Sequence, residues 1–214
     1  MKIEALIISA GYSRRMNDFK PLLKFEGIPF ILSIILKLYH NCEKIHIVTG
    51  YRAEDLKEVL SEWFNRQPEE ILPQANRISA DDWHSLKQTV HYIYHPKYEQ
   101  GMFSSFQAGL AHGQQADWIL YHFVDQPHIP GPFYGSFIKQ VSPDHNWIQP
   151  CYQQRKGHPI LLHNTLFPLI LKEAPSSSLS WISKNPEIKM KIWDCSYPQI
   201  LQDFDFPLDI LTGE

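Results

Sequence analysis

Ala5-Leu6-Ile7-Ile8-Ser9-Ala10-Gly11-Tyr12-Ser13-Arg14-Arg15-Met16-Asn17-Asp18-Phe19-Lys20-Pro21-Leu22-Leu23-Lys24 is the stretch around which the rest of the chain is organised. Its apolar start, Ala5 to Ile8, is far too short to span a bilayer and reads as a buried strand. The strand runs out into Ser9-Ala10-Gly11, residues small enough to let another group approach the backbone. Ser13, Arg14, Arg15 and Lys20 then crowd hydroxyl and cationic donors into one loop. Backbone N–H groups in such a turn form an anion-binding concavity, and the cations add charge where phosphate oxygens would lie. The loop contains neither G-x-G-x-x-G nor G-x-x-x-x-G-K-[ST], which removes the two best-known phosphate-loop explanations. From these residues alone it is either a phosphate cradle or a solvated basic turn.

The chain beyond the loop alternates in type. Pro29 opens a helical run with Phe30, Ile31, Ile34, Ile35 and Leu38 on one face. Lys44 to Gly50 is a second strand, Arg52 to Gln67 an amphipathic helix, and Thr89 to Tyr94 a third strand. Between them, Pro68 to Gln88 is polar and irregular, with Ser79 a natural cap for a short helix. Trp118 to Val124 is apolar almost throughout, as a central parallel strand must be, and it runs into Asp125-Gln126-Pro127. Alternation of this kind specifies an α/β fold with a doubly wound, mostly parallel sheet, and ligands of such sheets lie at the carboxyl ends of the strands. Phe133 to Val141 is a further helix, Asn146 to Leu162 a strand-loop-strand, and residues 187–194 a late strand.

Composition narrows the class. A chain of 214 residues with 43% hydrophobic and 20% charged content has the material for one domain, here residues 1–214. A net charge of −3 gives no general attraction to nucleic acid or to an anionic membrane, so any nucleotide must be held by a local basic site. Cys42, Cys151 and Cys195 are too far apart for a zinc motif. His91 and His95 have i, i+4 spacing, but the β-rich setting and Pro96 deny them a helix. No window has the length of a membrane span, and Glu4 interrupts the only segment that could start a signal peptide, so a cytoplasmic protein is expected.

Four motifs, in order, resemble the MobA-like NTP transferases. Gly11-Tyr12-Ser13-Arg14-Arg15-Met16 with Lys20 and Leu22-Leu23 is similar to A-A-G-x-S-x-R-M-G-x-x-K-x-L-L, with Ser9 in place of Ala or Gly and Asn17 in place of Gly. His95 to Gly109 resembles N-x-x-Y-x-x-G-M-x-S-S-L-x-x-G, His95 standing for Asn. Val124-Asp125-Gln126-Pro127 resembles G-D-Q-P, and Pro150 to Pro159 resembles P-x-x-x-G-x-x-G-H-P. A further likeness, Asp203 to Ile210, follows D-x-D-T-P-x-D-L with Phe206 in place of Thr. The similarity runs over essentially the whole chain and is greatest to the molybdenum cofactor cytidylyltransferase branch.

That resemblance implies a three-layer α/β/α, GT-A-like nucleotide-diphospho-sugar transferase fold with a small late β-excursion. It implies transfer of a nucleoside monophosphate, CMP from CTP, to a phosphorylated acceptor such as molybdopterin, with release of pyrophosphate. It assigns Arg15, Lys20 and Asp125 to catalysis, and Ala10, Gly11, Ser13, Arg15, Lys20, Gly101, Ser104 and Ser105 to the nucleotide. It assigns Mg²⁺ to Asp125 and Asp205, and the acceptor to Gly157 and His158. The partners implied are the NTP, the small-molecule acceptor and a molybdoenzyme receiving the product, with no nucleic acid and no membrane. A sugar or polyol phosphate as acceptor, a non-catalytic nucleotide-binding protein, and a cofactor-insertion chaperone of the same fold stay open.

Overall fold

Seven residues at the amino end, Ile3–Ser9, form the first strand, β1, and every one of them is buried. A strand covered on both faces needs helices above and below it, and the rest of the chain supplies them. The computed structural model describes residues 1–12, 18–71, 78–113 and 115–204. The strands after β1 are β2 (Lys24–Phe25), β3 (Ile28–Pro29), β4 (Lys44–Thr49), β5 (Val90–Tyr94), β6 (Trp118–Phe123), β7 (Trp147–Tyr152), β8 (Arg155–Lys156), β9 (Ile160–His163) and β10 (Met190–Asp194). The helices are α1 (Phe30–Leu38), α2 (Ala53–Phe64), α3 (Pro68–Ile71), α4 (Ala80–Thr89), α5 (Met102–His112), α6 (Gly131–Ile138), α7 (Phe167–Lys172) and α8 (Leu179–Ile182).

The main sheet runs in the order β10-β7-β9-β6-β1-β4-β5, with β8 paired to β7. β9 is antiparallel to both β6 and β7, while the β1–β4, β1–β6, β4–β5 and β10–β7 pairs are parallel. The expected α/β/α layering with a mostly parallel sheet is therefore present. The late strands are not a small excursion, however. They widen the same sheet beyond β6, and β2 and β3 form a separate two-stranded hairpin that periodicity does not reveal.

Alternation along β1 builds two cores. Ile3, Ala5 and Ile7 face residues of α1, α2, α4 and α6, and Leu6 and Ile8 face residues of α5, α7 and α8. Each large apolar side chain buried in this way contributes roughly 1.5–3 kcal/mol. Helix α1 departs from the one-sided pattern expected of it: Lys37 is its one residue that is not buried. Its two polar side chains are both spent on one acceptor, for Ser33 Oγ (3.2 Å) and Lys37 Nζ donate to the Pro127 carbonyl. Burial lowers the Lys37 ammonium to about 8. The cap expected at Ser79 is made, its hydroxyl accepting from Asp82 N–H at 3.0 Å.

Glu4 is buried in β1 and accepts from His46 Nε2 on β4 at 2.7 Å. His122 is fully buried in β6, its Nδ1 donating to Phe123 O (2.6 Å) and its Nε2 accepting from the Tyr134 hydroxyl (2.7 Å). Both histidines serve packing, as their strand positions suggest. Among the described residues, no helix is long and apolar enough to cross a membrane.

The order of strands fixes where ligands can enter. From β1 the chain steps to β4 and β5, then crosses back to place β6 on the other side of β1. The turn of direction lies at the carboxyl ends of β1 and β6, the position at which open α/β sheets hold their ligands. Gly11 leaves one of these strand ends and Asp125 the other.

Candidate active site

A cleft of about 480 Å³ opens at that switch point, lined by Ile8, Ser9, Gly11, Tyr12, Lys20, Pro21, Tyr98, Glu99, Gly101, Met102, Ser105 and Val124. It thus joins two motifs that are about eighty residues apart in sequence. On one wall, β1 ends in Ser9 and Ala10. Ala10 is buried, and its carbonyl accepts from Tyr51 N–H at 3.1 Å, which holds the exit of the strand against the end of β4.

Lys20 starts a three-residue 3₁₀ turn with Pro21 and is buried despite its charge. Its Nζ lies 3.1 Å from Asp125 Oδ2. A lysine expected in a solvated loop instead sits at the base of the cleft, because a carboxylate from the end of β6 compensates its burial. Oδ1 of Asp125 is buried and has no hydrogen-bond partner among the described residues.

The opposite wall is the entry to α5. Gly101 has φ +107°, in the region that glycine adopts without penalty, and the chain uses it to turn from a 3₁₀ segment into the helix. Ser105 lines the cleft and Ser104 does not, although the Ser105 hydroxyl also donates to Gly101 O, at 3.3 Å. Ser104 Oγ donates to Gly101 O (2.8 Å) and accepts from His95 Nε2 (3.1 Å). Ser104, assigned to the nucleotide by resemblance, is a brace for the Gly101 turn, and His95 holds it there.

Gly157 and His158, assigned to the acceptor by resemblance, are not among the residues lining this cleft. Gly157 N–H donates to Pro150 O (2.9 Å) and His158 N–H to Ile200 O (3.1 Å). A Cβ on Gly157 would collide with the carbonyl of Ile200, so this close approach of two chain segments requires glycine. The His158 ring rests 4.3 Å from that of Phe123, and burial lowers its pKa to about 4.

From Ile200 the chain continues to Asp125. Phe204 N–H donates to Asp125 O at 2.9 Å, and Gln126, itself buried, donates through Nε2 to Asp203 Oδ1 at 2.9 Å. Phe204 is buried against Phe25, Phe30 and His128. Asp203 and Phe204 thus lie at the carboxyl edge of β6. Ser13, Arg15 and Asp205 lie outside the described residues.

Sequence reasoning missed Tyr12, Tyr98 and Glu99. The Tyr12 hydroxyl donates to Glu99 Oε1, and its ring lies 5.0 Å from Tyr51 and 5.5 Å from Tyr98. Tyr12 and Glu99 occupy variable positions of their motifs, so only an aromatic-plus-acid pairing across the cleft could have revealed them.

Hard oxygen donors suit Mg²⁺, which takes one or two carboxylates and completes its octahedron with water and phosphate oxygens. Asp125, with one oxygen uncompensated, fits that requirement. Among the described residues no three His, Cys, Asp or Glu side chains converge into a larger metal cluster.

This sheet order, with its switch-point cleft and a lysine–aspartate pair at the strand ends, defines an α/β domain that takes its ligand at the carboxyl edge of the sheet. The comparisons with known proteins agree with that class. The sequence profile of the MobA-like NTP transferase domain matches residues 5–185, and the chain belongs to that family. It is 24% identical to the molybdenum cofactor cytidylyltransferase of Escherichia coli K12 over 213 residues, 99% of this chain and 95% of that protein. In structure it resembles a nucleotidyl transferase from Methanothermobacter thermautotrophicus, with a TM-score of 0.74 and 17% identity over 98% of this chain and 94% of the other. It also resembles Rv0371c from Mycobacterium tuberculosis in complex with manganese, with a TM-score of 0.63 and 14% identity over 96% of each chain.

Proposed function

We propose that this chain, acting as a single cytoplasmic nucleotidyltransferase domain, transfers CMP from CTP to a phosphorylated acceptor, molybdopterin being the favoured one. The observation that carries the reading is the Lys20–Asp125 pair, a buried lysine against a half-buried aspartate at the carboxyl edge of the sheet. Near full-length likeness to a cytidylyltransferase of the molybdenum cofactor supports the choice of nucleotide and acceptor.

An oxygen of the acceptor phosphate attacks the α-phosphorus of CTP. The bond from that phosphorus to the bridging oxygen breaks, and the electron pair leaves with pyrophosphate. No covalent intermediate with the protein is needed, so the protein's contribution is positioning and charge neutralisation. Lys20 and Arg15 hold the triphosphate and stabilise the departing pyrophosphate. Ala10, Gly11, Ser13, Gly101 and Ser105 shape the nucleotide pocket, and Ser104 supports it from behind. Gly157 and His158 border the acceptor, the imidazole being neutral near pH 7. Asp125 and Asp205 would hold Mg²⁺, which when bound neutralises phosphate oxygens.

The test is pyrophosphate release with each of the four NTPs, with and without molybdopterin, in the presence and absence of Mg²⁺. Release only with CTP, molybdopterin and Mg²⁺ together is expected. Equal or faster release with GTP would overturn the choice of base, and release with a sugar or polyol phosphate in place of molybdopterin would overturn the acceptor. Tight nucleotide binding without release under any condition would mark a non-catalytic binding protein or chaperone.

A further inference from the structure

The cleft has an unlike lining. Lys20 supplies a cation that suits phosphate, while Tyr12, Tyr98, Glu99, Met102 and Ser105 supply aromatic, acidic, apolar and hydroxyl groups. Ring faces of the Tyr12 kind suit stacking of a nucleobase. Glu99 is the only carboxylate among the described residues lining this cleft. Asp125 is the carboxylate paired with Lys20, whereas Glu99 is paired with the Tyr12 hydroxyl on the aromatic wall. Beside a base, the charge has a use.

Resting on the nucleotidyl-transfer reading, we infer that Glu99, braced by Tyr12, selects the nucleobase by accepting a hydrogen bond from its exocyclic amino group. One carboxylate oxygen, Oε1, already accepts from the Tyr12 hydroxyl, which fixes the direction of the group across the cleft. Glu99 is exposed, so a group entering the cleft can reach its carboxylate. Hydrogen bonding to Glu99 is the first cause that raises the Tyr12 pKa above its ordinary value, so the phenol keeps its proton and the brace persists through the neutral range. A carboxylate accepts well from N4–H of cytosine and opposes the O4 carbonyl of uracil, the two bases differing only along that edge. The residue therefore discriminates CTP from UTP, two nucleotides of the same size and charge that the phosphate-binding groups cannot tell apart.

The experiment measures binding of CTP and of UTP to the intact protein by titration calorimetry with Mg²⁺ present and no acceptor. Wild type should bind CTP more tightly than UTP by about tenfold or more, the scale of one charge-assisted hydrogen bond. Glu99→Gln keeps an acceptor for Tyr12 and offers an amide donor to O4, so the ratio should fall to about one or invert. Tyr12→Phe should reduce the ratio by less, since the carboxylate remains without its brace. Glu99 is exposed, and thermal melts of the variants should coincide with wild type. Equal binding of the two nucleotides by wild type, or an unchanged ratio in Glu99→Gln, overturns this inference and leaves nucleotidyl transfer standing. Failure of wild type to bind any NTP overturns both.

Discussion

Lys20 Nζ lies 3.1 Å from Asp125 Oδ2, joining two residues 105 positions apart at the base of one cleft. Asp125 lies just beyond the end of β6, Lys20 begins the 3₁₀ turn of the loop that follows β1, and each is shielded, with side-chain exposures of 22% and 9%. The pair behaves as one electrostatic unit. Lys20→Ala and Asp125→Asn should each lower kcat/KM by on the order of 10²–10³, the usual loss for removing one preorganised polar group. The double variant should be little worse than either alone. A polar loop position suggests that Lys20 can be truncated without cost, but the structure reverses that expectation. Lys20→Ala leaves a shielded carboxylate uncompensated and should destabilise the fold by about 1–3 kcal/mol. Pyrophosphate release and thermal melts of the three variants test this, and additive losses or an unchanged Lys20→Ala melt would dissolve the unit.

The hairpin joining β7 to β8 turns on Gln153 and Gln154, whose φ values are +48° and +62°. A two-residue turn with both centres in the left-handed region is one that an Asn-Gly dipeptide fills best. Glutamine has neither the missing Cβ of glycine nor the short side chain of asparagine to ease it, and Gln153 makes only a long 3.5 Å donation from Nε2 to the Tyr152 hydroxyl. The double substitution Gln153→Asn with Gln154→Gly should therefore stabilise the protein by roughly 0.5–1 kcal/mol. Urea unfolding measures it, and a lower midpoint would show that the glutamines are held by contacts worth more than the strain.

The parts of the fold that were legible in the sequence are those where one period dominates. β1 and β6 are apolar runs interrupted only by Glu4 and His122, and α2 has a clean helical stripe, so their type and place follow from burial. The hairpin of β2 and β3 has two residues per strand, too few for any period to show. The antiparallel insertion of β9 between β6 and β7 depends on long-range pairing that local sequence does not encode. At the site, Lys20, Asp125, Gly101 and Gly157 were visible because their motifs carry a backbone or charge requirement. The burial of Lys20 and the diversion of Ser104 towards His95 were not, because both are set by partners distant in the chain or by side-chain rotation. Tyr12 and Glu99 meet across 87 residues and leave no periodic trace.

His158 and His128 are both lowered to about 4 by burial. In the unfolded chain they return to about 6.5. Between these values the unfolded state binds more protons than the folded state, so stability rises with pH there. Read downwards, stability is fully present above about pH 6.5 and is lost as pH falls towards 4, at up to about 1.4 kcal/mol per pH unit for each histidine. Urea midpoints between pH 7.5 and 4.5 should therefore fall. His158→Gln should make the slope shallower by one proton. A profile that stays level from pH 7 to pH 5 would mean that the imidazoles are hydrated enough to titrate normally.

Asp125, Asp203 and Asp205 compete for the role of metal ligand, and their surroundings separate them. Oδ1 of Asp125 is buried without a partner among the described residues, so it is the oxygen with most to gain from a cation. Asp203 is already committed, accepting from Gln126 Nε2 at 2.9 Å. Phe204 is anchored by its N–H to Asp125 O and by burial of its ring. Asp205 lies outside the described residues, and its assignment rests on the terminal acidic motif. Asp125→Asn and Asp205→Asn keep shape while removing charge. Each should abolish Mg²⁺-dependent turnover, and the double variant should be little worse, since the carboxylates serve one ion. Asp203→Asn keeps an oxygen for Gln126 and should retain most of the activity, with the Mg²⁺ concentration for half-maximal rate unchanged. The same measurement decides between them: a large rise in that concentration for Asp203→Asn, with Asp205→Asn at wild-type values, would transfer the site from residue 205 to residue 203.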